Sequence, residues 1–373
     1  MSDSTNNHLG KVVVKGFKSI KNFELEIKPI NILIGANGSG KSNFISLFTF
    51  LRHLSEGKLQ NYVQKHGSAS AFFHFGPKKT KEISIDIDVG YNGYHATFGH
   101  GINDDTLIFN TEYCSIRSSS KSFSIQGTKG ESGLAHSIKA DSHHVKKYTK
   151  LYLNDCRVYH FHDTSDTAGF KQACDLDAVD YLYTDASNIA AFLYYLKHST
   201  LEEYSNAYLD IVEAIQNIAP YFHDFYLEPR GSDNSKRILL KWLHKQNDEP
   251  FSANQLSDGT IRFICMATLF LQPETLRPKT IILDEPELGL HPAALDELAE
   301  IVKVTSKDNQ VICSTQSVTF ANKFNPDDFI VVDQNEGKSE FKRVSTDELS
   351  EWLDDFSMGD IWSKNLIGGR PEW

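Results

Sequence analysis

The stretch Asn31-Ile32-Leu33-Ile34-Gly35-Ala36-Asn37-Gly38-Ser39-Gly40-Lys41-Ser42-Asn43-Phe44-Ile45 decides the fold. It begins with a short apolar run, NILIG (31–35), which reads as a buried strand. It ends by opening an amphipathic helix over 41–56, with Phe44, Ile45, Leu47, Phe48 and Leu51 on its apolar side. Between them, GANGSGKS (35–42) satisfies GxxxxGK[ST] at every fixed position, in the strand–turn–helix context the motif requires. Backbone N–H groups of such a loop wrap the β- and γ-phosphates of a nucleotide, and the helix N-terminus adds positive potential. The candidate ATP-binding residues are therefore Gly35, Asn37, Gly38, Ser39, Gly40, Lys41, Ser42 and Asn43. Lys41 neutralises phosphate charge, and the Ser42 hydroxyl is a candidate Mg²⁺ ligand. The alternative is a Gly-rich turn with no ligand.

Outward from this loop the chain alternates strands and helices. Residues 11–16 and 22–28 read as strands, and 82–126 as an antiparallel β layer cut by Gly, Asn and Asp. Residues 127–150 are Gly-, Ser-, His- and Lys-rich, and predict a loop with one short helix. A strand at 157–161, helices at 187–197 and 199–218, and a hairpin made of FYLEPR and RILLKWL follow. Then come a helix over 259–271, a strand TIILDE (280–285), a helix over 293–306, strands at 310–315 and 329–333, and a helix over 346–354. This order predicts an α/β fold with a largely parallel core sheet. Phe72, Phe73 and Phe75 read as core.

The apolar strand Ile281-Ile282-Leu283 ends in Asp284-Glu285-Pro286. A carboxylate at a strand tip can reach Mg²⁺ through water, which makes Asp284 the second metal candidate. Glu285 is placed to act as general base toward the attacking water. Two solvated carboxylates capping a strand are the plain alternative. Leu256-Ser257-Asp258-Gly259-Thr260 precedes a helix, and alone is an ordinary N-cap sequence. Ser314-Thr315-Gln316-Ser317 closes another buried strand, where Gln316 either caps a turn or contacts phosphate.

Together these residues resemble the ABC-type ATPases. An LSGG-like signature there precedes the Walker B strand, and here Asp284 lies 28 positions after Leu256. Glu287-Leu288-Gly289-Leu290-His291-Pro292 resembles the D-loop of the RecF, SMC and OLD branch, and Gly16-Phe17-Lys18-Ser19-Ile20 resembles the turn that opens its chains. The resemblance implies a P-loop NTPase: an ABC-ATPase head with a mixed core sheet, an antiparallel β lobe and a helical insertion. It implies ATP and Mg²⁺ as cofactors, and a homodimer or higher oligomer whose two heads sandwich ATP. Ser257 and the backbone of Gly259 would contact the nucleotide bound to the other subunit. Lys18 would approach the nucleotide. Gln316 would stand at the switch position, where relatives usually carry His, and this predicts slow hydrolysis because Gln cannot take on charge near neutral pH. The Q-loop glutamine is not placed.

Lys41 and Ser257 lie 216 positions apart, which predicts one domain over 10–373 with three parts. These are a nucleotide-binding β lobe (10–126), a partly helical inserted region (127–245), and a segment carrying signature, Walker B and switch (246–373). SMC proteins would place long heptad segments in the insertion, and OLD nucleases would add a Toprim domain for which the 60 or so residues after the switch are too short. The text FHDTS, NIAAFL, LSDGTIRF, IILDEPELGLHP, QVICSTQS and GGRP is most similar to stand-alone AAA-21-type predicted ATPases, relatives of the Septu-type ATPase of anti-phage systems. That likeness implies antiviral defence with an effector nuclease as candidate partner. Two other readings are a RecF-like DNA repair ATPase and the ATPase subunit of a transporter.

Composition narrows the classes. With 38 basic and 49 acidic residues the formal net charge is −11, which opposes a bulk DNA clamp but leaves nucleic acid open for a local groove such as Lys78, Lys79 and Lys81 or Lys146 and Lys147. Five scattered cysteines without a CxxC pair argue against disulfides and zinc, and fit a cytoplasmic protein. His160 and His162 lack further ligands with metal-site spacing and read as structural. The first residues, MSDSTNNHLGK, lack the apolar core of a secretory signal, and no apolar run reaches the roughly 18 residues of a membrane span.

Overall fold

Ile30–Ile34 forms a strand with every residue buried, as an apolar run covered on both faces should. In the computed structural model, which describes residues 8–119, 121–135, 144–232 and 235–369, this strand sits inside a six-stranded mixed sheet. The order is Lys338–Arg343, Phe329–Asn335, Ile30–Ile34, Gln310–Ser314, Thr280–Asp284, Arg157–Tyr159. The four strands from Phe329–Asn335 to Thr280–Asp284 run parallel, and Lys338–Arg343 is an antiparallel edge. The turn into that edge has φ of 48° at Glu336 and 77° at Gly337. Positive φ at both central residues is what a type I′ hairpin needs.

A second six-stranded sheet is antiparallel throughout. Its order is Ile20–Glu26, Leu9–Phe17, Ile83–Val89, Asn92–Gly101, Thr106–Ile116, Ser122–Ser124. The helix Lys41–Glu56 buries Phe44, Leu47, Phe48, Phe50 and Leu51 in one core with Val12, Val14 and Ile85 of this sheet and Leu33, Ile282, Ile312 and Ile330 of the mixed sheet. Edge-on ring pairs such as Phe17–Phe50, Phe23–Phe44 and Phe50–Phe98 hold that core in register. Apolar residues along the whole helix thus fix the start of the helix, and with it the phosphate loop.

The chain divides into two compact units. The first is Met1–Val158, Pro278–Asp284 and Asp308–Trp373, and contains both large sheets. The second is Tyr159–Arg277 and Glu285–Lys307. It packs the helices Ile189–Lys197, Glu202–Ile218, Asp258–Leu271 and Pro292–Thr305 together, with a three-stranded sheet of Phe222–Phe225, Lys241–His244 and Asn247–Ser252. Asp258–Leu271 is buried almost all round, as expected of a helix apolar on every side. These boundaries differ from the expected insertion over 127–245, because the helix after LSDGT and the helix after the DEPE segment group with the second unit.

Other differences are local. The expected FYLEPR–RILLKWL hairpin is split. Phe222–Phe225 pairs with Lys241–His244, Tyr226 N–H donates to the Lys241 carbonyl at 2.9 Å, an Arg230–Arg237 bridge lies further out, and Arg237–Ile238 pairs with Cys174–Asp175. Pro229, without an N–H, cannot extend a ladder. Phe72 and Phe73 are core, but Phe75, at φ 55°, is turned outward and is 59% exposed. Residues 1–7, part of the 127–150 loop and Arg370-Pro371 of GGRP lie outside the described residues. Among the described residues no helix is long and apolar enough to cross a membrane.

Candidate nucleotide-binding site

The phosphate loop is held by residues far away in sequence. The helix begins at Lys41 behind Gly40, whose φ is 118°. A Cβ on Gly40 would stand 2.0 Å from Ser339 Oγ and 2.7 Å from Ser339 Cβ, so glycine is required there. Ser339, on the antiparallel edge strand, is buried, and its Oγ donates to the Ser39 carbonyl at 2.6 Å. Ser339 and Ser19 hydroxyls are 2.7 Å apart. A hydroxyl has one proton, and that of Ser339 is engaged with the carbonyl, so Ser19 donates to Ser339. Asn43 Nδ2 donates to Ser19 Oγ at 2.7 Å and closes the network. The Asn43 side chain thus reaches back into the fold and braces the loop.

Lys41 is buried, and its Nζ donates to the carbonyls of Gly35 at 2.6 Å and Ala36 at 3.0 Å. Ser39 Oγ is buried with no protein partner. Gly35, Ser39 and Gly40 are buried while Asn37, Gly38 and Ser42 are exposed. A cationic side chain, an orphaned hydroxyl and an exposed crown ahead of a 16-residue helix fit a polyphosphate.

Asp284, Ser314 and Leu33 are cross-strand partners on three adjacent parallel strands. Ser314 Oγ donates to Asp284 Oδ1, and Thr315 N–H donates to the Leu33 carbonyl at 2.9 Å. Asp284 is half-buried and Gln316 exposed. The loop, Asp284 and Gln316 therefore emerge together from the carboxyl ends of neighbouring strands, the usual ligand edge of such a sheet. The Ser42 hydroxyl and the Asp284 carboxylate are hard oxygen donors, which suits Mg²⁺. Glu285 follows with φ 47°, a conformation that costs energy in a non-glycine residue and is typical of functional sites.

Lys18, expected to approach the nucleotide, lies beside the phosphate-loop helix. Its Nζ donates to Ser46 Oγ at 2.9 Å and lies 5.2 Å from the Phe72 ring centre. Burial lowers its pKa from the usual lysine value. In this conformation Lys18 anchors the turn after the first strand to the helix.

In the second unit, Ser257 caps the helix Asp258–Leu271. Its Oγ accepts from Thr260 N–H at 3.1 Å and lies 2.8 Å from Thr260 Oγ1. Ser257 and Asp258 are exposed. A Cβ on Gly259 would lie 2.5 Å from the Gly289 carbonyl, so the two glycines let the LSDGT turn and the ELGLHP segment pack backbone to backbone. Arg262, one turn on, donates to the carbonyls of Leu288 at 2.9 Å, His162 at 2.9 Å and Phe161 at 3.2 Å. Reading the sequence alone passed over Ser19, Ser339 and Arg262. The Glu336-Gly337 turn was a usable signal for the edge strand, but nothing local marks Ser339 as a partner of the loop.

His160 and His162 have ring centres 6.2 Å apart. Among the described residues no group of three or more His, Cys, Asp or Glu could hold a metal, and none of the five cysteines forms a disulfide.

No curated protein matches the sequence. Many solved structures share the fold, SMC head domains among them. A crystal structure of an SmcHead bound to the C-winged helix domain of ScpA aligns with TM-score 0.58 and 14% identity, over 92% of this chain and 99% of that one. An Smc head domain with an extended coiled coil, bound to the C-terminal domain of ScpA derived from Pyrococcus furiosus, aligns with TM-score 0.55 and 14% identity, over 93% and 99%. The α/β architecture, with its mixed sheet and antiparallel sheet, is thus that of SMC heads. A family profile, described as "AAA domain, putative AbiEii toxin, Type IV TA system", matches residues 30–322, and the chain belongs to this AAA_21 family.

Proposed function

We propose that this chain is a slow ATPase of the ABC/SMC type, binding ATP with Mg²⁺ and cleaving it to ADP and phosphate. The observation that carries the reading is the convergence of the Gly35–Ser42 loop, Asp284 and Gln316 at the carboxyl ends of adjacent parallel strands. Lys41 leaves the Gly35 and Ala36 carbonyls for the phosphates, and Ser39 Oγ donates to a phosphate oxygen. Ser42 and Asp284 hold the Mg²⁺, which when bound offsets the charge on the β- and γ-phosphates. Glu285 takes a proton from the attacking water as the bond from the γ-phosphorus to the bridging oxygen breaks. Gln316 orients that water without changing charge, and this keeps turnover slow.

The reading extends to a homodimer. A helix N-terminus carrying exposed Ser257 and Asp258 belongs to no phosphate loop of its own, so Ser257 and Gly259 complete the pocket of a second copy. Heads of the same fold were solved with a domain of ScpA bound, which supports a protein partner for this head as well. Likeness to anti-phage ATPases favours an effector nuclease in the cytoplasm.

Three variants test the scheme by nucleotide titration, phosphate release and light scattering. Lys41→Ala loses ATP affinity. Glu285→Gln binds ATP without turnover and accumulates the dimer. Ser257→Arg binds ATP as the parent does, yet neither dimerises nor turns over. A Ser257→Arg protein that pairs and hydrolyses at the parental rate excludes the shared site. A parent that binds no ATP excludes the whole reading.

A further inference from the structure

We propose that the Gly368-Gly369 turn is a positioning element for the phosphate loop, packed against Gly35 and tied to the neighbouring strand Phe329–Asn335. The two glycines have φ of 82° and 80°, so the chain reverses there in a conformation other residues resist. Gly369 N–H donates to Asp333 Oδ1 at 2.7 Å. Asp333 belongs to Phe329–Asn335, the strand hydrogen-bonded in parallel to Ile30–Ile34, with Val331 opposite Ile34. The hydrogen bond therefore pins the turn at the point where the phosphate loop begins.

The packing at that point is backbone against backbone. A Cβ on Gly369 would lie 3.4 Å from Gly35 Cα, 3.2 Å from Val331 Cγ1 and 3.3 Å from Trp362 Nε1. A Cβ on Gly35 would meet the Val332 carbonyl at 2.2 Å. Gly35 is thus confined by Val332 and by Gly369, and its carbonyl receives Lys41 Nζ at 2.6 Å. Trp362 is buried, and its indole N–H has no partner among the described residues. The site reading assigns these residues no contact with nucleotide. They act through Gly35.

The inference rests on the nucleotide-binding reading for one of its two measurements, and the other is independent of it. The full chain is compared with Gly369→Val, Asp333→Leu and the conservative Asp333→Asn, which keeps an acceptor at the same position. In ligand-free protein, amide exchange over residues 35–40 accelerates about tenfold in Asp333→Leu, which removes the part-buried hydrogen bond, and in Gly369→Val, which strains the turn at positive φ. Exchange over 281–283, in the same sheet, stays at the parental rate, and Asp333→Asn restores the loop. With Mg²⁺ and a fluorescent ATP analogue, Kd rises about tenfold in the first two variants and returns in the third. Parental loop exchange in both disrupting variants overturns the proposal. If Gly369→Val does not fold, the Asp333 pair decides. If the parent binds no nucleotide, the function reading fails, and the exchange measurement alone decides this inference.

Discussion

Arg262→Ala separates nucleotide binding from the machinery that follows it. The guanidinium donates three hydrogen bonds to backbone carbonyls, at 2.9 Å to Leu288, 2.9 Å to His162 and 3.2 Å to Phe161. Only a planar fork with several donors reaches three carbonyls at once. Hydrogen bonds to a charged donor contribute about 1.5–3 kcal/mol each before coupling. The bond to Leu288 is exposed, the other two are part-buried, and all share one side chain, so truncation should cost about 2–4 kcal/mol of local stability. The bond to Leu288 alone, at about 1.5 kcal/mol, sets an opening change of about tenfold for the ELGLHP segment. The Leu288 and Leu290 amides report on it, because they close the turn by donating to Glu285 and Glu287 at 3.2 and 3.1 Å. Their exchange should accelerate about tenfold in Arg262→Ala, and Arg262→Lys, with a point charge, should resemble it more than the parent. ATP affinity should stay within about twofold, since no phosphate-loop residue is touched, while turnover falls at least tenfold. Parental exchange at Leu288 and Leu290 would show that the three bonds do not hold the segment. A loss of ATP affinity equal to the loss of turnover would refute the separation.

Further expectations follow from single contacts. Ser339→Ala leaves the buried Ser39 carbonyl without its donor and should cost about 1–3 kcal/mol, read as a lower unfolding midpoint together with weaker ATP binding. Gln316→Ala should slow phosphate release without changing ATP affinity; a parental rate would remove Gln316 from catalysis. Glu112 is buried, and burial raises its pKa although Tyr94, Ser132 and the Gly133 N–H donate to it. A raised folded value means its contribution is complete below the unfolded glutamate value of about 4.3 and is lost as pH rises through the folded value. Glu112→Gln should therefore flatten the fall in thermal midpoint over that window. An identical slope in parent and variant would contradict it.

Residues 31–45 told most of the story because every feature in them is local. An apolar run, a glycine-rich turn and a helical period occupy consecutive positions, and the helix spans Lys41–Glu56 as the pattern predicts. The strand ending at Asp284 and the helix after Ser257 were legible for the same reason. The direction of the Lys18 side chain was not legible, because it depends on Ser46 and Phe72, which its turn does not contain. Phe75 was misjudged because one residue at positive φ turns a side chain from core to solvent without changing composition.

By itself the sequence determined that this chain has a phosphate loop between a buried strand and a helix, acidic and amide residues at later strand ends, and an α/β order of elements. These follow from periodicity and from residue types with narrow chemical uses. Only the tertiary structure decided what holds that loop: Ser339, 320 positions from its partner Ser19, and Gly369 against Gly35. Hydroxyls and glycines acquire such roles from close approach between distant segments, and close approach leaves no periodic trace in the segments themselves.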